Sequence, residues 1–422
     1  MKTLKRPKVT TRPQPPQRRV LALVGNSQVG LWAVRSLARS GLKVFVVVTG
    51  EQGLAVHSRY AAGAWKLEVP AYSGEFIPQM LGLARELGVG SIMTIAESYH
   101  VALIRHREVF EPDIHIFSPP AEAFAKATDK DYMHALCLRL GVPVARGTTL
   151  ERLMSQGDEC DLRYPLVLRA RKQNDPATAI PWKAAYAADR SELEKLHKTV
   201  KTVAANVLVQ EYHPGVEAHV QVLMRGGEPF MTGEYIGEHH MPLAGGVTVQ
   251  RVSCRHSRLI DDAVRLLRAV GWEGIGGVQF HYDTGTDRYI FLEINPRFIG
   301  GLPTVIMAGF DAPFLLWQSR FEPDRMVKGR YQLGVRTRIL GGDANWMFGM
   351  IRGDALPPGQ ERLGKLQALG RFLWNFGPWT RDDTFWLADI APALVDWRQM
   401  VKRLGSQHVD IIGAGTPREA PH

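Results

Sequence analysis

Residues 274–301 read GIGGVQFHYDTGTDRYIFLEINPRFIGG, two runs rich in β-branched and aromatic residues on either side of a turn of Asp, Thr and Gly. This pattern predicts a β-hairpin. Side chains alternate between the faces of a strand, so Glu293, Asn295 and Arg297 share one face of the second strand. Gln279 on the first strand falls opposite Glu293 if the turn is about five residues long. Polar groups therefore converge where a buried hairpin would carry apolar ones.

The chemistry of this polar set indicates a metal and a phosphate. A carboxylate and two amide oxygens are hard ligands of the kind that suit Mg²⁺, which completes its shell with waters and substrate phosphates. The planar guanidinium of Arg297 can hold a phosphate or an acyl phosphate through two hydrogen bonds. The plainer interpretation is a solvated strand end followed by an Asn-Pro turn.

The run Leu292-Glu-Ile-Asn-Pro-Arg297, with Gln279 upstream, resembles the metal-binding core of the ATP-grasp ligases. The glutamine variant is similar to the one in carbamoyl-phosphate synthetase. The resemblance covers about residues 19 to 320. It implies that Gln279, Glu293 and Asn295 hold Mg²⁺ or Mn²⁺ between the phosphates of ATP, and that Arg297 acts on the group being transferred.

Length and composition limit the number of structural units and the kinds of ligand that the protein can be expected to have. A chain of 422 residues with 45% hydrophobic content can bury several cores and is expected to form two to four units. The formal charge of +10 is concentrated in the first nineteen residues, which read as a disordered basic tail over 1–18. The rest of the chain is mildly basic, which suits a nucleotide enzyme and gives little support to nucleic-acid binding.

The cysteines and the apolar runs bear on the compartment. Cys137, Cys160 and Cys254 lie in unrelated contexts without C-x-x-C spacing, which supports neither a disulfide framework nor a structural zinc site. His239 and His240 lack third and fourth ligands at useful spacing. The N-terminus has no apolar signal segment, and no window of eighteen apolar residues predicts a membrane helix. A reducing cytoplasm is the simplest compartment.

Residues 19–48 alternate strand, helix and strand, which predicts a parallel sheet. Gly25 and Gly30 suggest a dinucleotide-binding turn, but the complete G-x-G-x-x-G is absent, so an NAD(P) oxidoreductase is the weaker alternative. A further strand over residues 91–95 leads into Glu97, which either contacts substrate or caps a helix.

The resemblance extends to the nucleotide site. Lys130, at the start of a helix capped near Thr128 or Asp129, is implied to reach the phosphates of ATP. Arg169 stands where the family usually has a second phosphate lysine, and it keeps the positive charge. Residues 173–183 occupy the place of the family's glycine-rich lid but contain no glycine, which leaves Lys183 as a cationic substitute.

Residues 207–223 resemble the ATP-grasp hinge. Glu211 and Tyr212 are implied to meet adenine mainly through their backbone, and Glu217 to accept hydrogen bonds from the ribose hydroxyls. An ordinary strand pair with charged side chains in solvent is the alternative. Arg251 follows a flexible turn and is expected to meet a substrate carboxylate or the transferring phosphate.

The resemblance implies a mixed α/β and α+β architecture. It comprises a Rossmann-like α/β domain over residues 19–122, an ATP-grasp domain over 123–320 whose lid spans about 145–208, and a C-terminal extension over 321–422. Trp and Arg residues of the extension either bind RNA bases or, more commonly for such spacing, pack in a core. A helix is expected over residues 361–376.

The implied function is an ATP-dependent ligase that activates a carboxylate as an acyl phosphate and joins it to an amine, releasing ADP and phosphate. Arg297 and Arg251 are its expected catalytic residues, its partners are a small carboxylate and an amine, and a homodimer is its expected assembly. A nucleotide-binding regulator of the same fold is the alternative, because the lid segment lacks glycine.

Overall fold

The computed structural model describes residues 1–5, 14–25, 27–49, 53–156, 161–171, 180 and 184–405. Within these ranges the chain forms three β-sheets with helices packed around and between them. None of the helices in these ranges is long and apolar enough to cross a membrane.

The first sheet belongs to the N-terminal α/β unit. Its strands are β1 (Lys2–Lys5), β2 (Arg19–Leu23), β3 (Lys43–Thr49), β4 (Ala61–Leu67), β5 (Ser91–Thr94) and β6 (His115–Phe117). Its helices are α1 (Gln28–Arg39), α2 (Phe76–Glu86), α3 (Glu97–Arg105) and α4 (Arg107–Phe110). The order is β1-β4-β3-β2-β5-β6, and all pairs except β1–β4 are parallel. Helices cover both faces, so the strands read as continuous apolar runs.

Gly30, in the first turn of α1, allows close packing. A Cβ on Gly30 would lie 2.8 Å from the Cβ of Val24, so the missing side chain lets α1 approach the end of β2 closely. At the next crossover, α3 begins directly after β5 and places Glu97 at the carboxyl end of the sheet, the edge where open α/β sheets bind ligands.

Two helices connect this unit to the rest of the chain, α5 (Ala121–Thr128) and α6 (Lys130–Leu140). They meet at Asp129, whose carboxylate accepts hydrogen bonds from the backbone N–H groups of Asp131 and Tyr132. The predicted cap at this position is confirmed, and Gly141 ends α6 with a φ of 69°. Lys130 is consequently fixed as the first residue of α6.

A small antiparallel sheet follows, with β7 (Gly147–Thr149), β8 (Leu166–Ala170), β9 (Ala185–Ala187) and β10 (Val207–Glu211) in the order β7-β10-β8-β9. Helices α7 (Leu150–Gln156) and α8 (Arg190–Val200) contribute to its own apolar core around Leu166, Leu168 and Leu193. This sheet carries Arg169 on β8 and Glu211 at the end of β10.

The largest sheet has seven strands and carries the hairpin. They are β11 (Val216–Arg225), β12 (Glu228–Met241), β13 (Val247–Cys254), β14 (Gly274–Asp283), β15 (Arg288–Asn295), β16 (Arg336–Arg338) and β17 (Thr380–Asp382). The order is β15-β14-β11-β12-β13-β16-β17, antiparallel except for β16–β17. Helix α9 (Ser257–Val270) buries its apolar stripe against one face, together with α5 and α6.

The hairpin of β14 and β15 pairs Gln279 with Glu293, as expected, but by a different route. Asp283 pairs with Arg288, so the turn has four residues where about five were expected. A shift in register between Gln279 and Phe280 supplies the missing residue, because Leu292 forms a bulge in β15. The bulge thus restores the pairing that the shorter turn alone would have displaced.

The C-terminal region is integrated with both larger sheets. Its helices are α10 (Leu302–Met307), α11 (Ala312–Phe321), α12 (Leu340–Arg352), α13 (Lys365–Trp374) and α14 (Ala391–Gly405). Strands β16 and β17 extend the seven-stranded sheet, while Trp32 of α1 donates from Nε1 to the carbonyl of Asp383 at 2.5 Å. Arg35 and Asp389 form a buried ion pair at 2.9 Å. This region therefore ties the N-terminal unit to the large sheet.

The aromatic residues of this region divide into two groups. Trp346 is buried and stacks on His239 with ring centroids 3.4 Å apart, as a core residue would. Trp374, Phe376 and Trp379 are exposed. The expectation of core packing is therefore right for Trp346 and wrong for the other three, which lie at the end of the short helix α13 or just after it.

Candidate functional site

Six charged side chains from five separate parts of the chain lie close enough to alter one another's protonation. They are, in chain order, Glu97, Lys130, Arg169, Glu217, Glu293 and Arg297. We call this set the charged cluster. Its three acids and three cations come from α3, α6, β8, β11, and the stretch formed by β15 and the residues directly after it. All three sheets thus contribute to one cleft.

The candidate metal ligands lie together on the hairpin. Gln279 and Glu293 are cross-strand partners, and Asn295 follows on the same face, with its Nδ2 3.5 Å from Oε1 of Glu293. All three side chains are half-buried, so their oxygens remain accessible from the cleft. An all-oxygen donor set of this kind fits Mg²⁺ or Mn²⁺.

A polar row crosses the sheet beside these ligands. Backbone pairing aligns Tyr235, His219, Gln279 and Glu293 on four neighbouring strands. His219 stacks on Tyr235 at 4.8 Å between ring centroids, and its Nδ1 is buried without a hydrogen-bond partner in the described part of the chain. Sequence reasoning missed His219, although its odd position on β11, two residues after Glu217, is the signal that places it on the cleft face.

The two cations expected to meet phosphate border the hairpin. Lys130 donates from Nζ to the carbonyl of Ala170 at 2.8 Å, and Arg169 donates to Oε1 of Gln210 at 2.5 Å. Burial lowers the pKa of both, while the Glu293 carboxylate opposes that shift in each case. Each cation therefore interacts electrostatically with Glu293, one of the candidate metal ligands.

The hinge differs from its expected geometry. The backbone N–H of Glu211 donates to the carbonyl of Arg146 at 3.0 Å, and that of Tyr212 donates to Pro165 at 2.9 Å. Both N–H groups are thus used within the protein, and the expected backbone contact with adenine stays a prediction that would rest on other backbone atoms. Carbonyl oxygens and the Tyr212 ring remain for that contact.

Aromatic rings form one wall of this part of the cleft. Tyr212 packs edge-on against Tyr186 at 5.3 Å and against His281 at 6.2 Å between ring centroids. Its hydroxyl is buried without a hydrogen-bond partner among the described residues. Tyr186, on β9, was not singled out from the sequence because a lone tyrosine beside the lid segment carries no signal of its own.

Glu217, the expected acceptor for ribose hydroxyls, lies beside Thr248 and His219. Its Oε2 accepts from Oγ1 of Thr248 at 2.9 Å and lies 3.4 Å from Nε2 of His219. Its side chain is 20% exposed, which leaves it within reach of a bound ligand.

Arg251 has surroundings other than those expected from the sequence. It is 1% exposed, forms a buried ion pair with Asp383, and donates to Oγ1 of Thr337 at 3.2 Å. The expected contact with a substrate carboxylate or phosphate is therefore wrong, because this guanidinium is occupied by a residue of the C-terminal region. Lys183, the other expected cation, lies outside the described residues.

The N-terminal unit adds two groups on α3. Burial raises the pKa of Glu97, with a further rise from Glu293, and Arg297 and Lys130 oppose it. His100, one turn later, is 4% exposed, and burial together with Arg297 and Arg107 lowers its pKa to about 3. Its Nδ1 lies 2.9 Å from Oγ of Ser118. His100 was missed in the sequence, although its i, i+3 spacing from Glu97 puts both on one side of the helix.

Comparison with known proteins agrees with this geometry. Residues 204–338 match a family model described as ATP-grasp in the biosynthetic pathway with Ter operon, and they include the hinge strand β11 and the whole hairpin. Residues 204–338 thus carry the ATP-grasp family pattern. The fold predicted from the hairpin motif, an α/β unit followed by an ATP-grasp fold, is confirmed. The match covers less than half of the chain.

Individual relatives are distant. Biotin carboxylase 1 of Bacillus subtilis is 22% identical over 303 residues, which is 66% of this chain and 64% of that protein. The chain thus spans less than two thirds of this relative's length. The biotin carboxylase domain dimer of Hydrogenobacter thermophilus 2-oxoglutarate carboxylase, in complex with MgADP, ADP and bicarbonate, superposes with a TM-score of 0.57. That likeness has 16% identity and covers 76% of this chain and 73% of that one.

A third similar protein is the N5-carboxyaminoimidazole ribonucleotide synthetase purK, whose structure was solved as an ADP complex. It has a TM-score of 0.58 and 13% identity, and the alignment covers 87% of this chain and 99% of that chain. At such identities the superpositions establish a shared fold, and the chemistry has to be argued from this chain's own residues.

Proposed function

We propose that the chain is an ATP-dependent carboxylate–amine ligase. A carboxylate oxygen of the substrate attacks the γ-phosphorus of ATP, the bond to the bridging oxygen breaks, and ADP leaves. The amine nitrogen then attacks the carbonyl carbon of the acyl phosphate, inorganic phosphate departs with the electrons of the C–O bond, and the nitrogen gives up a proton. The observation that carries this proposal is the charged cluster, in which a metal-type oxygen set faces Lys130, Arg169 and Arg297.

Each part of the cluster has a role in this reaction. Gln279, Glu293 and Asn295 would hold Mg²⁺ or Mn²⁺, which supplies charge neutralisation between phosphates when bound. Lys130 and Arg169 would bind the β- and γ-phosphates from the side of the small sheet. Arg297 would stabilise the charge on the transferring group, since phosphoryl transfer depends on positioning and electrostatics.

Glu97 is our candidate proton acceptor for the second step. A carboxylate whose pKa is raised by burial binds a proton more readily than one in water, which suits an acceptor for the nitrogen's proton. Arg297 and Lys130 beside it oppose this rise in pKa. Its place on α3 at the carboxyl edge of the first sheet puts this group on the N-terminal side of the cleft.

One observation favours the regulator alternative. Residues 173–183 contain no glycine and Arg169 replaces the family's usual lysine, so the lid and phosphate contacts of this chain are unusual for the superfamily. A protein that binds MgATP without turnover would retain the hairpin and lose the coupling to an acid.

The proposed ligase would be a homodimer in a reducing cytoplasm. A homodimer is consistent with the dimeric Hydrogenobacter thermophilus neighbour. The described cysteines, Cys137 and Cys254, are free thiols, which suits a reducing cytoplasm. The substrates would be a small carboxylic acid and a small amine.

The test is ADP release by the purified chain with MgATP and a panel of carboxylic acids, each with and without a panel of amines. The ligase proposal predicts ADP formation that depends on one class of acid and is accelerated by an amine. Glu293→Gln serves as the matched control, because it removes a metal ligand with almost no change in shape. ATP binding without acid-dependent ADP from any pair would favour the regulator.

A further inference from the structure

A second donor cluster lies on the opposite face of the seven-stranded sheet from the ATP cleft. Glu234 of β12 is the cross-strand partner of Cys254 of β13, and His256 follows two residues later at the start of α9. One donor atom from each of the three lies within 4.8 Å of the other two. Alternation along β12 puts Glu234 on the face that packs against α9, whereas Tyr235 belongs to the cleft face.

The carboxylate of this cluster is unusually placed. Glu234 is 1% exposed, and its salt-bridge partner within the described ranges is His256, whose Nδ1 lies 2.7 Å from Oε1. The backbone N–H of His256 donates to Oε2 at 2.6 Å. Buried charges in proteins are paired or coordinate metals, and here no arginine or lysine of the described chain pairs with the carboxylate.

We propose that Glu234, Cys254 and His256 form a zinc site. A thiolate, an imidazole and a carboxylate are the three protein ligands that zinc accepts in open tetrahedral sites, with water in the fourth position. Hard cations such as Mg²⁺ prefer oxygen alone, so this set is chemically distinct from the one on the hairpin. A divalent ion on one thiolate, one carboxylate and one neutral imidazole gives a neutral site, which removes the cost of the buried charge.

The geometry requires a small adjustment. Two ligand atoms about 2.0 to 2.1 Å from a tetrahedral zinc ion lie roughly 3.3 Å apart, so the 2.7 Å hydrogen bond between His256 and Glu234 opens by about half an ångström. The ion takes the place of the proton shared by that pair, and the Cys254 thiol loses its proton to solvent. His256 and Cys254 are half-buried and give access to the site.

A cavity near the start of α9 is lined by sequence neighbours of the cluster and not by its three donor residues. This cavity has a volume of about 640 Å³ and is lined in part by Thr232, Arg255 and Tyr331. Arg255 lies between the end of β13 and the start of α9. The Tyr331 hydroxyl hydrogen-bonds the backbone of Glu234 on both sides, accepting at 3.0 Å and donating at 2.6 Å. This contact holds the β12 ligand in place from the cavity side.

The experiment uses the full chain, stripped with a chelator and titrated with Co²⁺ as a spectroscopic stand-in for zinc. We expect a thiolate-to-cobalt charge-transfer band with tetrahedral visible absorption, both abolished when Zn²⁺ is added. Cys254→Ser should eliminate the charge-transfer band, and His256→Gln should weaken Co²⁺ binding roughly tenfold or more. Cys137→Ala and Cys160→Ser are the matched thiol controls and should keep the band.

Two further controls test whether the cobalt signal comes from this cluster and whether each variant is folded. Glu293→Gln should leave the cobalt spectrum unchanged, because the hairpin ligands are on the other face of the sheet. A cooperative thermal unfolding transition measured without ligand shows whether each variant is folded, so loss of the band in a folded Cys254→Ser chain supports the site. Absence of a thiolate band in the wild type, or a band that survives in Cys254→Ser, would overturn the proposal and leave the cluster as a hydrogen-bonded cap of α9.

Discussion

Glu293 and Arg297 lie four residues apart and face the same cleft, yet the proposed mechanism gives them different work. Glu293 would bind the metal in both the ground state and the transition state, whereas Arg297 would act on charge that develops as the phosphoryl group moves. Asn295 and Gln279 share the metal with Glu293, which explains why three residues of the hairpin have oxygen donors on one face.

Substitution should separate these two roles. We expect Glu293→Gln to reduce metal-dependent turnover strongly and also to weaken MgATP binding. Arg297→Ala should lower kcat by roughly 10² or more with ATP affinity less affected, the scale seen when one electrostatic stabiliser is lost. Both variants should stay folded, because these side chains are half-buried at the cleft. The measurement is acid-dependent ADP formation alongside ATP titration, and equal losses in both parameters for both variants would contradict the division of roles.

His100 gives a pH dependence of stability. Burial and Arg297 lower its pKa to about 3 from an ordinary 6.5. Above pH 6.5 the ring is neutral in the folded and unfolded chain and contributes nothing. Below pH 6.5 the His100 ring is protonated in the unfolded chain and stays neutral in the folded chain. The free energy of unfolding therefore falls as the pH drops toward about 3.

The size of this effect is measurable. The loss between pH 6.5 and 5 should be about 2 kcal/mol for this one group, at 1.36 kcal/mol for each pH unit. His100→Asn should show a smaller loss of stability over the same interval in urea denaturation. The exposed His106→Asn is the matched control and should follow the wild type. An unchanged pH dependence in His100→Asn would show that the ring is protonated in the folded chain.

At the scale of elements, period-two alternation was enough to place the hairpin and its polar face. The pairing of Gln279 with Glu293 is present, but it was predicted on the assumption of a turn of about five residues, whereas a four-residue turn and a bulge at Leu292 produce it. The bulge at Leu292 could not be predicted, because the twist and packing of neighbouring strands decide where a ladder absorbs an extra residue. The cap at Asp129 was predictable, since an N-cap depends on residues adjacent in sequence.

Some groups that the sequence assigned to a ligand are used within the protein. Arg251 pairs with Asp383, and the N–H groups of Glu211 and Tyr212 donate to carbonyls of distant residues. In each case a group assigned to a ligand is satisfied by a part of the chain far away in sequence. His219 and His100 were missed although their spacing from Glu217 and Glu97 puts them on the same strand face and the same helix side, and the assembled sheets then bring both to the cleft.

The Arg251–Asp383 pair predicts a stability effect where the sequence suggested a catalytic one. Arg251→Met leaves Asp383 buried without its partner, which should cost about 3–5 kcal/mol of unfolding free energy. The double variant Arg251→Met, Asp383→Leu should recover part of that loss. Chemical denaturation measures both, with Arg258→Ala, in the exposed pair with Asp287, as a control expected to change little. A stable Arg251→Met chain with impaired turnover would restore the catalytic interpretation.

At the scale of the whole molecule, the C-terminal region explains how the cleft is assembled. Strands β16 and β17 extend the large sheet, while Asp383 and Asp389 reach Trp32 and Arg35 of the N-terminal unit. The N-terminal residues Glu97 and His100 are thereby fixed relative to the hairpin. The family motifs thin out after residue 320, so this architectural role had no signature in the sequence.

The central claim is that this cleft transfers the γ-phosphoryl group of ATP to a carboxylate. The most direct test supplies the best acid of the panel labelled with oxygen-18 in its carboxyl group, together with MgATP and the amine, and analyses the released phosphate by mass spectrometry. An acyl phosphate carries one carboxyl oxygen into phosphate, so the account predicts one labelled oxygen per phosphate formed. Phosphate without label, with all of the oxygen-18 retained in the acid or its product, would contradict it.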